Sequence, residues 1–311
     1  MSFRQRPWTS PICRGIAPLQ SFRRSMAQHC RLRGPELMRY RICSDSSRTW
    51  RRLSAQSRIC RAMTDTASAC QQWPPHANTV AIMQPYAFPY LGYFNLVQAC
   101  GVFVFYDDVN FITRGWINRN RVLVNGQAHQ FSIPLSGASQ NKRILDVGLH
   151  DFGAFRNKFL KQLNHAYCRA PFYEYGLAYA EEVLSSDYDR IADLAIASVT
   201  LLFRKLGIDR RFLRSSEAFP ASVGTGRSGR LIDITKALGA SRYVNPASGA
   251  SLYDKPHFED NGVALSFLQP LLPEYRQVGP AEFVPGLSII DVLMHNDHDS
   301  VRQMLSSYRL Q

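Results

Sequence analysis

The chain has 311 residues, 45% of them hydrophobic, enough to bury a core as one large domain or two small ones. A formal net charge of +13 would point to nucleic acid or an anionic surface, but its distribution removes that reading. Fourteen of the 37 basic residues and only Glu36 and Asp45 of the 24 acids fall in residues 1–62, so that segment carries +12 and everything after it +1.

Residues 1–62 contain no continuous apolar run of the secretory type. Their Arg- and Ser-rich, acid-poor composition fits a mitochondrial transit peptide or a nucleic-acid arm, but low hydrophobicity at high net charge cannot support folding. We therefore expect residues 1–76 to be a disordered Arg-rich segment, of which 1–62 is not a functional part, with Met63 a candidate start and native translation of 1–62 left open. Cys13, Cys30, Cys43 and Cys60 lack ligand spacing, and Cys70, Cys100 and Cys168 in the body form no CxxC pair, which argues against a disulfide framework or zinc site. No run approaches the ~20 apolar residues of a membrane span. The expectation is a soluble, cytoplasmic protein with neither membrane nor nucleic acid as partner.

After a short lead-in (Trp73 to Asn78), Thr79 to Met83 reads as a buried strand bounded by Pro85. Tyr90 to Cys100 reads as a helix and Val102 to Tyr106 as a second, fully apolar strand. Strands apolar on both faces and alternating with helices indicate a parallel sheet covered on both sides. Arg119 to Pro134 then forms two runs joined by Asn125-Gly126, a hairpin signal, since a type I′ turn needs positive φ at both positions. Helices dominate from Asp151, the expected cap of the first. A second covers about Pro171 to Leu184, and a third about Tyr188 to Leu206, capped by Ser186 or Asp187 and stopped at Gly207. The alternation returns with strands at Arg211–Leu213, Arg242–Asn245 and Val263–Leu268, a helix at Ser228–Leu238, and a closing helix from Ile289 to Met294. The fold class is thus α/β. Residues 77–311 form a single domain with a Rossmann-like, mostly parallel sheet, a β-hairpin excursion and a helical insertion at about 151–207.

Four constellations carry candidate chemistry. The first is the turn Gln84-Pro85-Tyr86-Ala87-Phe88-Pro89-Tyr90, beyond the carboxyl end of the first strand, where doubly wound sheets bind ligands. Two prolines and three aromatics replace the usual glycines, which suits a rigid, aromatic-walled pocket; Gln84, Tyr86 and Tyr93 are its candidate contacts. The second is Asp107-Asp108, candidate catalytic residues able to act as base, to hold a sugar hydroxyl or to bind Mg²⁺. Adjacent strand residues face opposite ways, so one enters the cleft and the other caps or pairs with an arginine. The third is Arg114, Trp116, Asn118, Arg119, Asn120 and Arg121, with Arg119 and Arg121 on one face of an extended segment and available for bidentate recognition of phosphate or carboxylate. A solvated edge strand paired to Asp107 or Asp108 is the structural alternative. The fourth combines Asn245, Ser248, Gly249 and Tyr253 after a late strand with Ser215, Ser216 and Asp291. His165, His257, His295 and His298 lack mutual ligand spacing, so no metal site is assigned, and no cofactor or oligomeric state can be named.

The motifs MQPYAFPYLGYF, YDDVNFITRGWINRNRVL with its NG turn, SSE, RLID, YVNP…SLYDKPHF and EFVPGLSIIDVLMHND occur in an order that resembles the WbqC-like protein family over essentially 79–311. Ser248-Gly249 stands where many relatives carry paired glycines, and His295 where an aromatic is common. The resemblance implies a role in bacterial surface-polysaccharide (O-antigen) or specialised-metabolite biosynthesis. The expectation is a transferase acting on a nucleotide-, acyl- or aminoacyl-activated small molecule with an anionic group; the alternative is a non-catalytic binding or scaffolding subunit.

Overall fold

The computed structural model describes residues 78–311 except 225, 280 and 281. The expected disordered segment and the lead-in before Asn78 lie outside the described residues.

The central sheet is built from β1 (Thr79–Met83), β2 (Val102–Phe105), β7 (Arg211–Arg214), β8 (Arg242–Pro246), β9 (Ala264–Pro270) and β10 (Tyr308–Leu310). Its order is β10-β9-β8-β1-β2-β7, with all neighbours parallel except the pair β9–β10. Alternation of side chains explains the apolar runs. Ala81, Phe103 and Phe105 enter one core, while Val80, Ile82, Val102 and Val104 enter another on the opposite face. Helices cover both faces, so the strands need no polar side, as expected of a buried parallel sheet. Because β1 is central and the chain leaves it first toward β2 and later returns on the β8 side, the crevice between the carboxyl ends of β1 and β8 is the topological switch point.

The helix α1 (Leu91–Gln98) links β1 to β2. Between β2 and β7 the chain makes the hairpin β3 (Arg119–Val124) and β4 (Gln127–Ser132), the two-residue pair β5 (Leu135–Ser136) and β6 (Gly148–Leu149), and helices α2 (Phe152–Tyr167), α3 (Tyr173–Ser185) and α4 (Ile191–Lys205). Asn125 and Gly126 have φ of 51° and 76°, the left-handed pair a type I′ turn requires. The three helices bury Phe159, Leu163, Tyr179, Val183, Leu194, Leu202 and Phe203 in the same core as α1.

Asp151 is the N-cap residue of α2, its carbonyl accepting from Phe155 N–H (3.1 Å), but it is left-handed (φ 44°) and its side chain bonds no helix amide; α4 begins after Arg190, not at Ser186 or Asp187, because the backbone of Asp189 is used by Leu149 N–H (2.9 Å). After β7 come α5 (Ser215–Ala218), α6 (Arg227–Ala237) and α7 (Lys255–Asp260), then α8 (Ile289–His295) and α9 (His298–Leu305). The helix α8 does not close the fold: α9, capped by Asp297 accepting from Ser300 N–H at 2.7 Å, and the antiparallel edge strand β10 follow it. Among the described residues no helix is long and apolar enough to cross a membrane.

Phe203 of α4 packs on Phe94 (6.2 Å) and Phe212 (5.8 Å), tying the helical insertion to α1 and the sheet edge. Phe203→Ala should cost about 3–5 kcal/mol, seen as a lower urea midpoint at unchanged m-value.

Candidate functional site

The turn after β1 is held in one conformation from several directions. Phe88 is fully buried with a left-handed φ of 48°, unusual for a bulky residue. Its N–H donates to Ser198 Oγ of α4 (3.0 Å), and its carbonyl accepts from Asn120 Nδ2 of β3 (2.5 Å) and from Ser288 Oγ (2.8 Å). The ring packs edge-on to Tyr179 (6.0 Å) and near Phe131 and Phe159. Ala87 N–H adds a bond to Ile117 carbonyl (2.9 Å). Asn120 thus works inward, fixing the turn, and Asn118 closes the hairpin through Ile133 carbonyl (2.8 Å).

The neighbouring arginines do something different. Arg119 and Arg121 both lie over the ring of Trp116, at 6.0 and 5.9 Å, and Trp116 is 47% exposed. Their bonds go to carbonyls: Arg119 Nε to Gly115 (2.8 Å) and Arg121 Nη2 to Gly286 (3.2 Å), while the buried Nε of Arg121 has no partner. Neither guanidinium makes an ion pair with any described acid. Burial pushes the Tyr86 hydroxyl well above its ordinary range, a rise helped by Tyr90 and opposed by Arg121 and Arg119. Tyr86 meets Tyr93 edge-to-face (6.0 Å), and the Tyr93 hydroxyl donates to Gln84 carbonyl (2.9 Å). Gln84, Tyr86, Tyr93, Trp116, Arg119 and Arg121 therefore form one group, cationic and aromatic, at the end of the central strand.

A second group is acidic and internally paired. Tyr106 N–H donates to Met83 carbonyl (2.8 Å), which sets the end of β2 beside that of β1. Asp107, wholly buried, accepts from Arg214 Nε (2.9 Å), Ser216 N–H (3.1 Å), Ser216 Oγ (2.9 Å) and Ser215 Oγ (3.2 Å). Asp108 accepts from Ser215 Oγ (2.5 Å) and Arg230 Nη2 (2.5 Å). One hydroxyl hydrogen serves one carboxylate at a time, so Ser215 is shared between the two acids. Both acids pair with arginines, Asp107 with Arg214 and Asp108 with Arg230, and neither pairs with Arg119 or Arg121. Asp193 (2.8 Å) and Glu217 (3.6 Å) also reach Arg214, so four carboxylates face two guanidiniums at this end. Arg230 itself is locked: Nε donates to Ser222 Oγ (3.1 Å) and the guanidinium lies 4.8 Å over the Tyr106 ring.

Around the switch point, Asn245 Nδ2 donates to the buried Tyr243 hydroxyl (2.7 Å). A Cβ on Gly249 would lie 2.2 Å from Asn245 Oδ1, so only glycine fits there without a shift. Burial raises the Tyr253 hydroxyl, Arg227 lowers it and Tyr106 raises it further. Tyr106 and Tyr253 pack against the same core cluster as Tyr243. Asp291 belongs to neither group. It is wholly buried and accepts from Tyr167 hydroxyl (2.8 Å), Tyr275 hydroxyl (2.7 Å) and Gln277 Nε2 (2.9 Å). His295 accepts at Nε2 from Val278 N–H (3.1 Å), so its Nδ1 carries the hydrogen donated to Asp291 carbonyl (2.8 Å). Arg114 and Ser248 are exposed and make no described side-chain hydrogen bond.

The residues not singled out from sequence as site candidates are Tyr106, Arg214, Arg230, Tyr167, Tyr275 and Gln277. Arg214 directly precedes Ser215-Ser216, and a strand-end arginine beside serines was a usable signal once β7 is known to pair with β2. Arg230 opens the RLID motif, but nothing local pointed to its partner, 122 residues away.

Residues 84–303 match the WbqC-like protein family, and the chain belongs to it. It is also 24% identical over 218 residues, 70% of this chain and 93% of the relative, to the uncharacterized protein Rv1507c of Mycobacterium tuberculosis. No solved structure matches.

With side chains only 7% and 4% exposed, Arg230 and Asp108 form a buried pair whose halves depend on each other. Arg230→Ala should destabilise by about 3–5 kcal/mol, and adding Asp108→Asn should recover part of that loss, as measured by a denaturant double-mutant cycle.

Proposed function

We propose that this protein is a cytoplasmic transferase acting on an activated small molecule, nucleotide-, acyl- or aminoacyl-linked, in surface-polysaccharide or specialised-metabolite biosynthesis. The observation that carries this reading is the contrast between the arginines. Arg214 and Arg230 are consumed by acids, whereas Arg119 and Arg121 keep their charge beside Trp116 and Tyr86. Two uncompensated guanidiniums next to an accessible indole suit a planar or apolar group carrying phosphate or carboxylate. The anionic leaving part of the donor sits there, with Gln84 and Tyr93 framing the end of β1. Asn245, Ser248, Gly249 and Tyr253 then line the acceptor side across the switch point.

Within the acid pair the two aspartates take different parts. Asp107 positions Ser215, Ser216 and Arg214. Asp108, beside Tyr106 and bonded to Ser215 and Arg230, is the group placed to accept a proton from an acceptor hydroxyl or amine. Ion pairing of both acids favours a second reading, a binding or scaffolding subunit with no turnover.

Calorimetric titration with UDP, coenzyme A and ATP tests the anion site. At least one should bind saturably, and Arg119→Ala/Arg121→Ala should weaken it about 10- to 100-fold while the Tm stays near wild type. No binding by any of the three removes the donor-site reading. For the transferase itself, a nucleotide-sugar and acyl-donor panel should show turnover that Asp108→Asn abolishes without loss of UDP or coenzyme A binding. Intact binding with no turnover selects the scaffolding reading.

A further inference from the structure

The excursion between β2 and the helical insertion differs in charge from the rest of the domain. From Val109 to Lys142 there are four cations, Arg114, Arg119, Arg121 and Lys142, and no acid, although the chain after residue 62 is nearly balanced. The next cation, Arg143, is spent on Asp146 (2.7 Å). Two large apolar side chains project from the same stretch: Ile112 is 52% exposed and Trp116 47%. They are not loose ends of a poorly packed loop. Phe111 and Ile117, which bracket them, are each 4% exposed, and Gly115 N–H donates to Ile112 carbonyl (3.1 Å) within the turn. Arg114, exposed and with φ 61°, stands between the two. Phe111 N–H donates to Lys142 carbonyl (2.7 Å), which brings exposed Lys142 to the base of the tip.

We propose that this tip docks on an anionic lipid bilayer, with Ile112 and Trp116 entering the headgroup region and Arg114 and Lys142 contacting lipid phosphates. A tryptophan favours the membrane–water interface, and each nearby cation adds attraction to an anionic leaflet. A branched aliphatic beside the indole is what an acyl boundary takes up and has no counterpart in contacts with bases or phosphates. Unrelieved positive charge suits a surface of one sign better than the mixed charges of a protein face. Such a contact lies on the membrane and needs no spanning helix. It does not rest on the transferase reading, because Ile112, Arg114 and Lys142 are outside the proposed donor site, though Trp116 would bring the two together and place that site facing the bilayer.

With a charge of +12 the first 62 residues would also attract anionic vesicles, so the test reads the tip directly in the full chain. Trp8, Trp50 and Trp73 are replaced by Phe, leaving Trp116 as the reporter, and emission is followed with phosphatidylcholine/phosphatidylserine vesicles containing brominated acyl chains. Quenching of Trp116 by at least half, lost in pure phosphatidylcholine, is expected. Adding Ile112→Ser, Arg114→Ser and Lys142→Ser should reduce the quenching about tenfold while circular dichroism and the urea midpoint stay as in the parent. Co-sedimentation without quenching would assign vesicle binding to the leader and overturn the proposal, as would no co-sedimentation. Loss of single-stranded DNA binding in the triple variant with quenching unchanged would also overturn it, in favour of a nucleic-acid surface.

Discussion

Everything around the end of the central strand depends on the backbone of Phe88. A bulky residue in the left-handed region is strained, and such strain persists only where the surroundings over-determine it. Here they do so from three distant parts of the chain, 32, 110 and 200 residues away, through Asn120, Ser198 and Ser288. One carbonyl and one amide thereby tie the first turn to the hairpin, the helical insertion and the start of α8. The half-buried neighbours Tyr86 and Gln84 inherit a fixed position from this buried node. A ligand meeting them would find the ordering entropy already spent in folding.

Charge then divides the strand ends into two territories. On the β2 side four carboxylates surround two arginines, and every described contact of Asp107 is an internal one. On the β3 side two arginines face an indole with no acid. An anion would be attracted to the second territory and repelled by the first. The Asp291 network adds stiffness from behind. Through Tyr275 and Gln277 it fastens the segment whose Gly286 carbonyl receives Arg121, and through Tyr167 it reaches the amide of Leu123 in β3.

Much of the fold was legible because its signals are local. The apolar runs of β1 and β2, the Asn125-Gly126 turn and the periodic helices of the insertion each follow from a few neighbouring residues. What was missed depends on partners far away. The strand β10 is three residues long and exists because β9 offers it an edge, and α9 carries a polar majority around the buried Val301, Met304 and Leu305. The cap of α4 was misplaced for a related reason: the residues before it have backbone roles that override capping preference.

In the site, composition and spacing were enough to mark residues but not to sort them. Alternation along β3 separated Arg119 and Arg121 from Asn120, since that rule needs only the strand. It could not say that Asn120 serves Phe88, that Asp291 is enclosed by tyrosines, or that both aspartates are paired by Arg214 and Arg230. The family, the α/β class and the near-neutral body could be read from the residues alone, together with the stretch proposed as the site. Only the tertiary structure decided which charges are neutralised and which stay available, because neutralisation is a matter of a few ångströms between residues more than a hundred positions apart.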